Sequence, residues 1–297
     1  MKIERAAVIG AGTMGHGIAQ VCAQAGCEVR VYDPAPGGWS NARDRIRANL
    51  DKGVSLGKLS ETDRDKTLSL IESAPSVREA VDEADLVVEA APEVAKVKRR
   101  ILAELNGALT DTAVVATNTS SLSVAGLAPG APEPTRFVGM HFFNPVHIMR
   151  LVEVVAGPET SPDTVAIAVA FSERLGKDPI VVRDSPGFAS SRLGIALGME
   201  AIRMVEEEVA SPADIDKAMK LGYGHPMGPL RLTDLVGLDV RLAIADYLHE
   251  ELGSSSFTPP TLLREMVAEG RLGKKSGRGF YHWPREEDAK TTAGDAE

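Results

Sequence analysis

The sequence predicts an α/β fold, a doubly wound and mostly parallel sheet, followed by an all-helical C-terminal domain. Three observations carry this. Short runs rich in Val and Ile alternate with amphipathic stretches as far as about Asp184. The first run passes directly into three closely spaced glycines and a helical pattern. Beyond Asp184 the strand-like runs stop, and helical pattern broken by Gly/Pro loops replaces them. At roughly 150 residues per domain, a chain of 297 residues also fits two domains.

Each element has its own reason. Ala6–Gly10, Glu28–Asp33, Leu86–Ala91, Ala113–Thr117, Phe137–Phe143, Leu151–Ala156 and Pro179–Arg183 read as strands. Most are apolar at consecutive positions, so both sheet faces should be covered by helices. Ser161-Pro162 marks a helix start, an N-cap followed by proline at the first helical position, and Gly176 marks its stop. Ser211-Pro212 repeats the device. These boundaries give a first domain at 1–184, with a helical insertion near 41–66, and a second at 185–297. The tail from about Glu286 lacks apolar residues and is expected to be disordered.

Charge excludes some functions. Lys+Arg 33 against Asp+Glu 42 leaves a net −9, which argues against a general binder of nucleic acid or membrane surfaces. No stretch approaches the ~20 apolar residues of a membrane span. The start, MKIERAAVIGAG, does not read as a signal peptide. Cys22 and Cys27 form neither a disulfide framework nor a zinc pattern. No other His/Asp/Glu cluster suggests a metal. The expectation is a soluble, cytoplasmic protein.

The first strand leads into Gly10-Ala11-Gly12-Thr13-Met14-Gly15, a G-x-G-x-x-G pattern. Gly10 permits a tight turn, Gly12 lets backbone amides approach a pyrophosphate, and Gly15 lets the helix pack on the strand. The helix start then presents free N–H groups to phosphates. Asp33 ends the second strand 23 residues after Gly10, where an acid accepts from the adenosine ribose. No arginine directly follows it, so the expected cofactor of this Rossmann-type domain is NAD rather than NADP.

An oxidoreductase acting on an alcohol needs a base. His141 ends a predicted strand, and Glu153 lies between apolar residues in the next. A carboxylate there needs a partner, and an imidazole on a neighbouring strand supplies one. Spacing alone leaves open that His141 is a satisfied core histidine. His147 looks like a loop residue, His16 like a neighbour of the cofactor, and His225 like part of a Gly/Pro loop.

The chain as a whole resembles the 3-hydroxyacyl-CoA dehydrogenase family, particularly its short-chain 3-hydroxybutyryl-CoA dehydrogenases. The resemblance rests on VIGAGTMGHGIAQ, VVEAAPE, TNTSSL, GMHFFNPVHIMRLVEVV, SPGFASSR, IDKAMKLGYGHPMGPL and LGKKSGRGFY. It implies reversible oxidation of an (S)-3-hydroxyacyl-CoA with NAD, in a homodimer joined through the helical domain. It implies His141 as base and Glu153 as its orienting acid. Ser120 and Asn144 would contact substrate and nicotinamide, and Glu93, Lys98 and Lys275 would contact the cofactor. Where the family carries asparagine in P-G-F-x-x-N-R, this chain has Ser191, a shorter donor.

The insertion is locally basic. Residues 41–58 hold five cations, Arg43, Arg45, Arg47, Lys52 and Lys58, against Asp44 and Asp51. Such a patch suits the phosphates of coenzyme A. The resemblance places Lys52 at a CoA-contacting lysine. A second such position holds Leu56, leaving Lys58 as the candidate substitute. Two other readings remain at this stage: a related dehydrogenase of a free hydroxy or sugar acid, and a nicotinamide-binding scaffold without catalysis.

Overall fold

The computed structural model describes residues 2–284, so the tail expected to be disordered lies outside the described residues. Two compact units divide the chain, Met1–Phe188 and Ala189–Glu297.

The first unit begins with β1 (Arg5–Ile9), α1 (Gly15–Gln24) and β2 (Glu28–Tyr32). A helical hairpin follows, α2 (Gly38–Ser55) and α3 (Glu61–Ser69), then β3 (Ile71–Ser73) and α4 (Val77–Val81). Next come β4 (Leu86–Glu89), α5 (Ala95–Glu104), β5 (Val114–Thr117) and the short α6 (Val124–Leu127). The unit closes with β6 (Phe137–Phe142), β7 (Leu151–Ala156), α7 (Pro162–Arg174) and β8 (Asp178–Arg183). The eight strands lie in the order β3-β2-β1-β4-β5-β6-β7-β8. All neighbours are parallel except β6 and β7.

Alternation along each strand serves two cores. Ala6 and Val8 pack with Ile18, Val31 and Val88 on one face. Ala7 and Ile9 pack with Val87, Leu102 and Val115 on the other. This is why the strands read as unbroken apolar runs. Among the described strands β3 alone escaped the sequence reading, because Ile71 is its single apolar residue and it lies at the sheet edge. β6 and β7 run antiparallel because only residues 143–150 join them, too short a link for a parallel crossover. β7 and β8 have α7 between them and run parallel. The Ser161 hydroxyl caps α7 by accepting from the Thr164 amide.

The first unit extends past the boundary expected at 184. Phe188 buries its ring in the second of the two sheet cores, so the Pro186-Gly187-Phe188 turn stays with the sheet.

The second unit holds α8 (Ser190–Glu206), α9 (Pro212–Gly222), α10 (Pro229–Val236), α11 (Leu238–Leu252) and α12 (Thr261–Ala268). Ile195, Met199, Ile202, Leu230, Leu238 and Leu263 form its core. Two carboxylates fasten it. Fully buried Asp234 accepts from the amides of Phe280 and Tyr281 at 2.9 Å each and from Trp283 Nε1 at 2.8 Å. Asp216 accepts from the amides of Leu230 and Arg231 and from the Tyr281 hydroxyl. Among the described residues, no helix is long and apolar enough to cross a membrane.

Candidate active site

The glycine loop is held by contacts no side chain would allow. Gly10 has φ +100°, and a Cβ there would stand 2.7 Å from the Ala90 carbonyl oxygen. A Cβ on Gly15 would come within 1.7 Å of the Gly10 oxygen, so α1 starts directly beneath the loop. Gly12 has nothing within 4 Å of its Cβ position, which leaves its surface open to a ligand. The Asp33 carboxylate accepts from the amides of Ala11 at 2.6 Å and Ala35 at 2.8 Å. It thereby ties the loop to the end of β2 and keeps lone pairs to spare.

A cavity of about 890 Å³ opens beyond the carboxyl ends of these strands, where ligands bind in open α/β sheets. Gly10, Gly12, Thr13, Met14, Asp33, Glu93, Ser120, His141 and Asn144 all line it. Tyr32, Pro34, Val77, Val97 and Ile101 add an apolar wall beside Asp33, suited to a purine ring. Ala11 and Gly15 lie buried in the loop itself. These features fit a dinucleotide. Among the described residues, no group of three or more His, Cys, Asp or Glu could hold a metal. Cys22 and Cys27 are free and buried, and burial pushes both thiols up.

The hairpin of β6 and β7 brings His141 and Glu153 together. Its register places His141 opposite Glu153, and His141 Nδ1 lies 2.7 Å from Glu153 Oε2. Glu153 is fully buried and His141 is 7% exposed. A carboxylate only accepts, so Nδ1 donates and Nε2 remains for proton exchange. The rings of Phe143, 4.4 Å away, and Phe188, 6.0 Å away, flank the imidazole. The Phe142 amide donates to Asn118 Oδ1, tying the end of β6 to the residue after β5.

A second buried pair was not read from the sequence. Lys98, which the resemblance implies as a cofactor contact, is fully buried and is not among the residues lining the cavity. Its ammonium donates to Glu89 at 2.9 and 3.0 Å and to the Ala91 carbonyl at 3.2 Å. Glu93 Oε2 is 3.4 Å away. Glu89, fully buried at the end of β4, also accepts from Thr117 and the Ala91 amide. The rule that pointed to a partner for Glu153 applies equally to Glu89 in LVVEAAPE, and would have found Lys98.

Glu93 carries this network to the cavity. Its Oε1 accepts from the Thr119 hydroxyl at 2.6 Å and from the amides of Ser120 and Ser121 at 2.8 and 3.0 Å. Burial raises its pKa, but the Thr119 hydrogen bond, Lys98 and the two amides outweigh it and leave the carboxyl lowered. Lys177, also missed, is buried and donates to the carbonyls of Val146 and Met149. It holds the loop that carries Asn144.

The remaining candidates lie elsewhere. His16 borders the glycine loop, with Nδ1 2.8 Å from the Gly12 oxygen. His147 does not line the cavity; burial, His16 and Lys177 hold it below its ordinary pKa. Lys52 and Lys58 are exposed on the α2–α3 hairpin, with no ion-pair partner among the described residues. Ser191 sits in the first turn of α8. Lys275 donates to Asp239 at 2.6 Å within the helical unit.

Comparison with known proteins places this arrangement. The NAD-binding domain of 3-hydroxyacyl-CoA dehydrogenase matches residues 5–185, and that family's C-terminal domain matches residues 187–283. The probable 3-hydroxybutyryl-CoA dehydrogenase of Bacillus subtilis (strain 168) is 43% identical over 95% of this chain and 98% of its own length. A 3-hydroxybutyryl-CoA dehydrogenase of Mycobacterium tuberculosis is 45% identical over 94% and 98%. The crystal structure of (S)-3-hydroxybutyryl-CoA dehydrogenase from Ralstonia eutropha superposes with a TM-score of 0.92 at 41% identity, covering 96% of this chain and 100% of that one. The protein is an oxidoreductase acting on CH–OH groups, and its cofactor is NAD. With both domains matched in order and relatives aligned nearly end to end, the chain belongs to the 3-hydroxyacyl-CoA dehydrogenase family.

Proposed function

We propose that the enzyme reversibly oxidises (S)-3-hydroxyacyl-CoA esters, 3-hydroxybutyryl-CoA among them, to 3-oxoacyl-CoA. The observation that carries this is the His141–Glu153 pair, whose imidazole lines the same cavity as the glycine loop and Asp33. Bound NAD supplies the hydride acceptor for carbon 3. Nε2 of His141 takes the hydroxyl proton, and Glu153 stabilises the imidazolium that forms. Ser120, oriented by Glu93, and Asn144 position the substrate oxygen and the nicotinamide, and Ser191 offers a hydroxyl to the substrate carbonyl. Lys275 supports the cofactor side while paired with Asp239. Lys98 serves by positioning Glu93. The relatives named for 3-hydroxybutyryl-CoA support the choice of substrate.

The deciding assay follows NADH consumption with acetoacetyl-CoA and, separately, with free keto acids. Turnover of the CoA ester supports the proposal. Turnover of free acids alone would transfer the dyad to a hydroxy-acid dehydrogenase, and no turnover of either would leave a scaffold.

Two substitutions test the binding roles. Asp33→Ala should raise the KM for NAD about 10–100-fold, the worth of hydrogen bonds to a charged group, and relax discrimination against NADP. An unchanged cofactor preference removes Asp33 from the ribose. Replacing Lys52 and Lys58 by Glu should raise the KM for acetoacetyl-CoA at least ~10-fold through lost phosphate pairing while sparing that for NAD. Equal effects on both would remove the patch from CoA binding.

Leu232, Leu235, Val236 and Val240 are each 40% exposed along α10 and the start of α11. They support a homodimer through the helical unit. The free thiols of Cys22 and Cys27 support a cytoplasmic location.

A further inference from the structure

The loop that carries Asn144 is held from two sides, both within the sheet unit. Of residues 144–150, Val146 alone is buried, 2% exposed in the first of the two sheet cores. On one side it meets α1. A Cβ on Gly17 would stand 2.8 Å from Val146 Cβ and 3.0 Å from its Cγ2. Glycine at 17 therefore lets the loop rest this close to the helix that starts at the glycine loop.

On the other side stands Lys177, between α7 and β8. It is 7% exposed, and its ammonium has no acid partner among the described residues. It donates instead to two carbonyls of the loop, Val146 and, at 2.8 Å, Met149. The amides of Ile148 and Met149 both donate to the Pro145 carbonyl at 2.9 Å, so the loop is a single turn. A turn of this kind ends, as a helix does, in carbonyls without amide partners, and Lys177 supplies the missing donors. Burying a cation without a counter-ion costs free energy, and packing alone would be served as well by an apolar side chain. What the ammonium adds is geometry, because two carbonyls must converge on one point. That point is fixed, since the Lys177 amide donates to the Ser172 carbonyl at 3.0 Å and the Asp178 amide to the Arg150 carbonyl at 2.8 Å. Asn144 and Pro145 are themselves exposed, while Phe143 and Asn144 line the cavity.

We infer that Lys177 is a positioning residue of the reaction. It acts through the loop backbone and sets where Phe143 and Asn144 stand against the nicotinamide, while Gly17 sets how closely the loop rests on α1. This rests on the reading above that Asn144 meets the nicotinamide. It goes further by placing control of that contact on two residues that do not line the cavity.

The test compares NADH with ADP-ribose, which has the adenosine and both phosphates but no nicotinamide, on the full-length enzyme. Calorimetry gives both dissociation constants, and acetoacetyl-CoA reduction gives kcat. Lys177→Met keeps an unbranched side chain and removes the donors. It should lower kcat about 10–10²-fold, the scale of a 1 Å misplacement. It should weaken NADH about 3–10-fold, the worth of one hydrogen bond, and leave ADP-ribose within about twofold. A lysine that only stabilised the fold would lower the melting temperature yet leave kcat and the NADH to ADP-ribose ratio of the folded enzyme unchanged, and that result overturns the proposal. So does equal weakening of both ligands. Gly17→Ala decides independently should Lys177→Met fail to fold. Alanine is the better helix former, so α1 persists, and the added methyl presses on Val146 from the opposite side. Its kcat should fall with ADP-ribose binding kept, and a wild-type kcat in this variant overturns the proposal. Asn144→Ala should reproduce the loss. If it changes neither kcat nor the preference for NADH, the assignment of Asn144 to the nicotinamide falls and the role of Lys177 falls with it. If it is impaired while the Lys177 and Gly17 variants are not, that assignment stands and only the positioning role falls.

Discussion

His141→Ala lowers kcat by about 10²–10⁴-fold, the range for losing a general base, while the KM for NAD stays within a factor of a few. The asymmetry follows from the geometry. The glycine loop and Asp33, which line the cavity with His141, are held by contacts of their own that do not depend on the imidazole. The proton, by contrast, goes to His141 Nε2 in the proposed reaction. Removing the ring also leaves Glu153 fully buried in the sheet. Some stability should therefore be lost with the activity, and a circular dichroism melt must accompany the kinetics. Glu153→Gln separates the two effects, since it keeps the shape but removes the negative charge that stabilises the imidazolium. Its kcat should fall less than that of His141→Ala, with the pH profile displaced. A folded His141→Ala enzyme with near-wild-type kcat would assign the base elsewhere.

Lys98→Ala should cost the sheet unit about 3–5 kcal/mol, the penalty for leaving one member of a buried pair uncompensated. Glu89 would remain with only Thr117 and the Ala91 amide as partners. Urea unfolding measures this directly. The double variant Lys98→Met with Glu89→Leu should recover most of the loss, because an apolar pair needs no counter-ion. A loss of less than ~1 kcal/mol in the single variant would mean the pair is dispensable. The network also reaches the active site through Glu93. The Lys98 variant should therefore loosen the Thr119–Ser121 turn and raise KM values even where the protein remains folded.

What was legible in the sequence followed from periodicity and punctuation. Strands buried on both faces are conspicuous runs, and the glycine loop is recognisable because each glycine answers a steric demand. His141 and Glu153 could be paired on paper because an acid among valines needs a partner, and a short link allows only a hairpin. The misses also have physical causes. β3 carries one apolar residue and stands at an edge, so nothing in its composition distinguishes it from a loop. Lys98 stands among Lys96, Arg99 and Arg100, and a row of cations reads as solvated unless the helix is rotated in space. Lys177 satisfies carbonyls of a loop that sequence does not fold. Phe188 extended the first unit because a ring's choice of core depends on tertiary packing, not on the proline and glycine before it.

The pairing of β6 with β7 has a consequence for how this catalyst can change. Side chains alternate across a sheet, so sliding one strand by a single position would send Glu153 to the opposite face from His141. The chemistry is thus insured by the ladder of backbone hydrogen bonds, which does not depend on which side chains occupy the connecting segment. Phe143 and Asn144 line the cavity and must stay, but residues 145–150 can be exchanged or lengthened, within what Lys177 tolerates, to vary the segment that follows them. The proton-handling couple beneath would keep its alignment, so new specificities can be explored in that segment without reinventing the reaction.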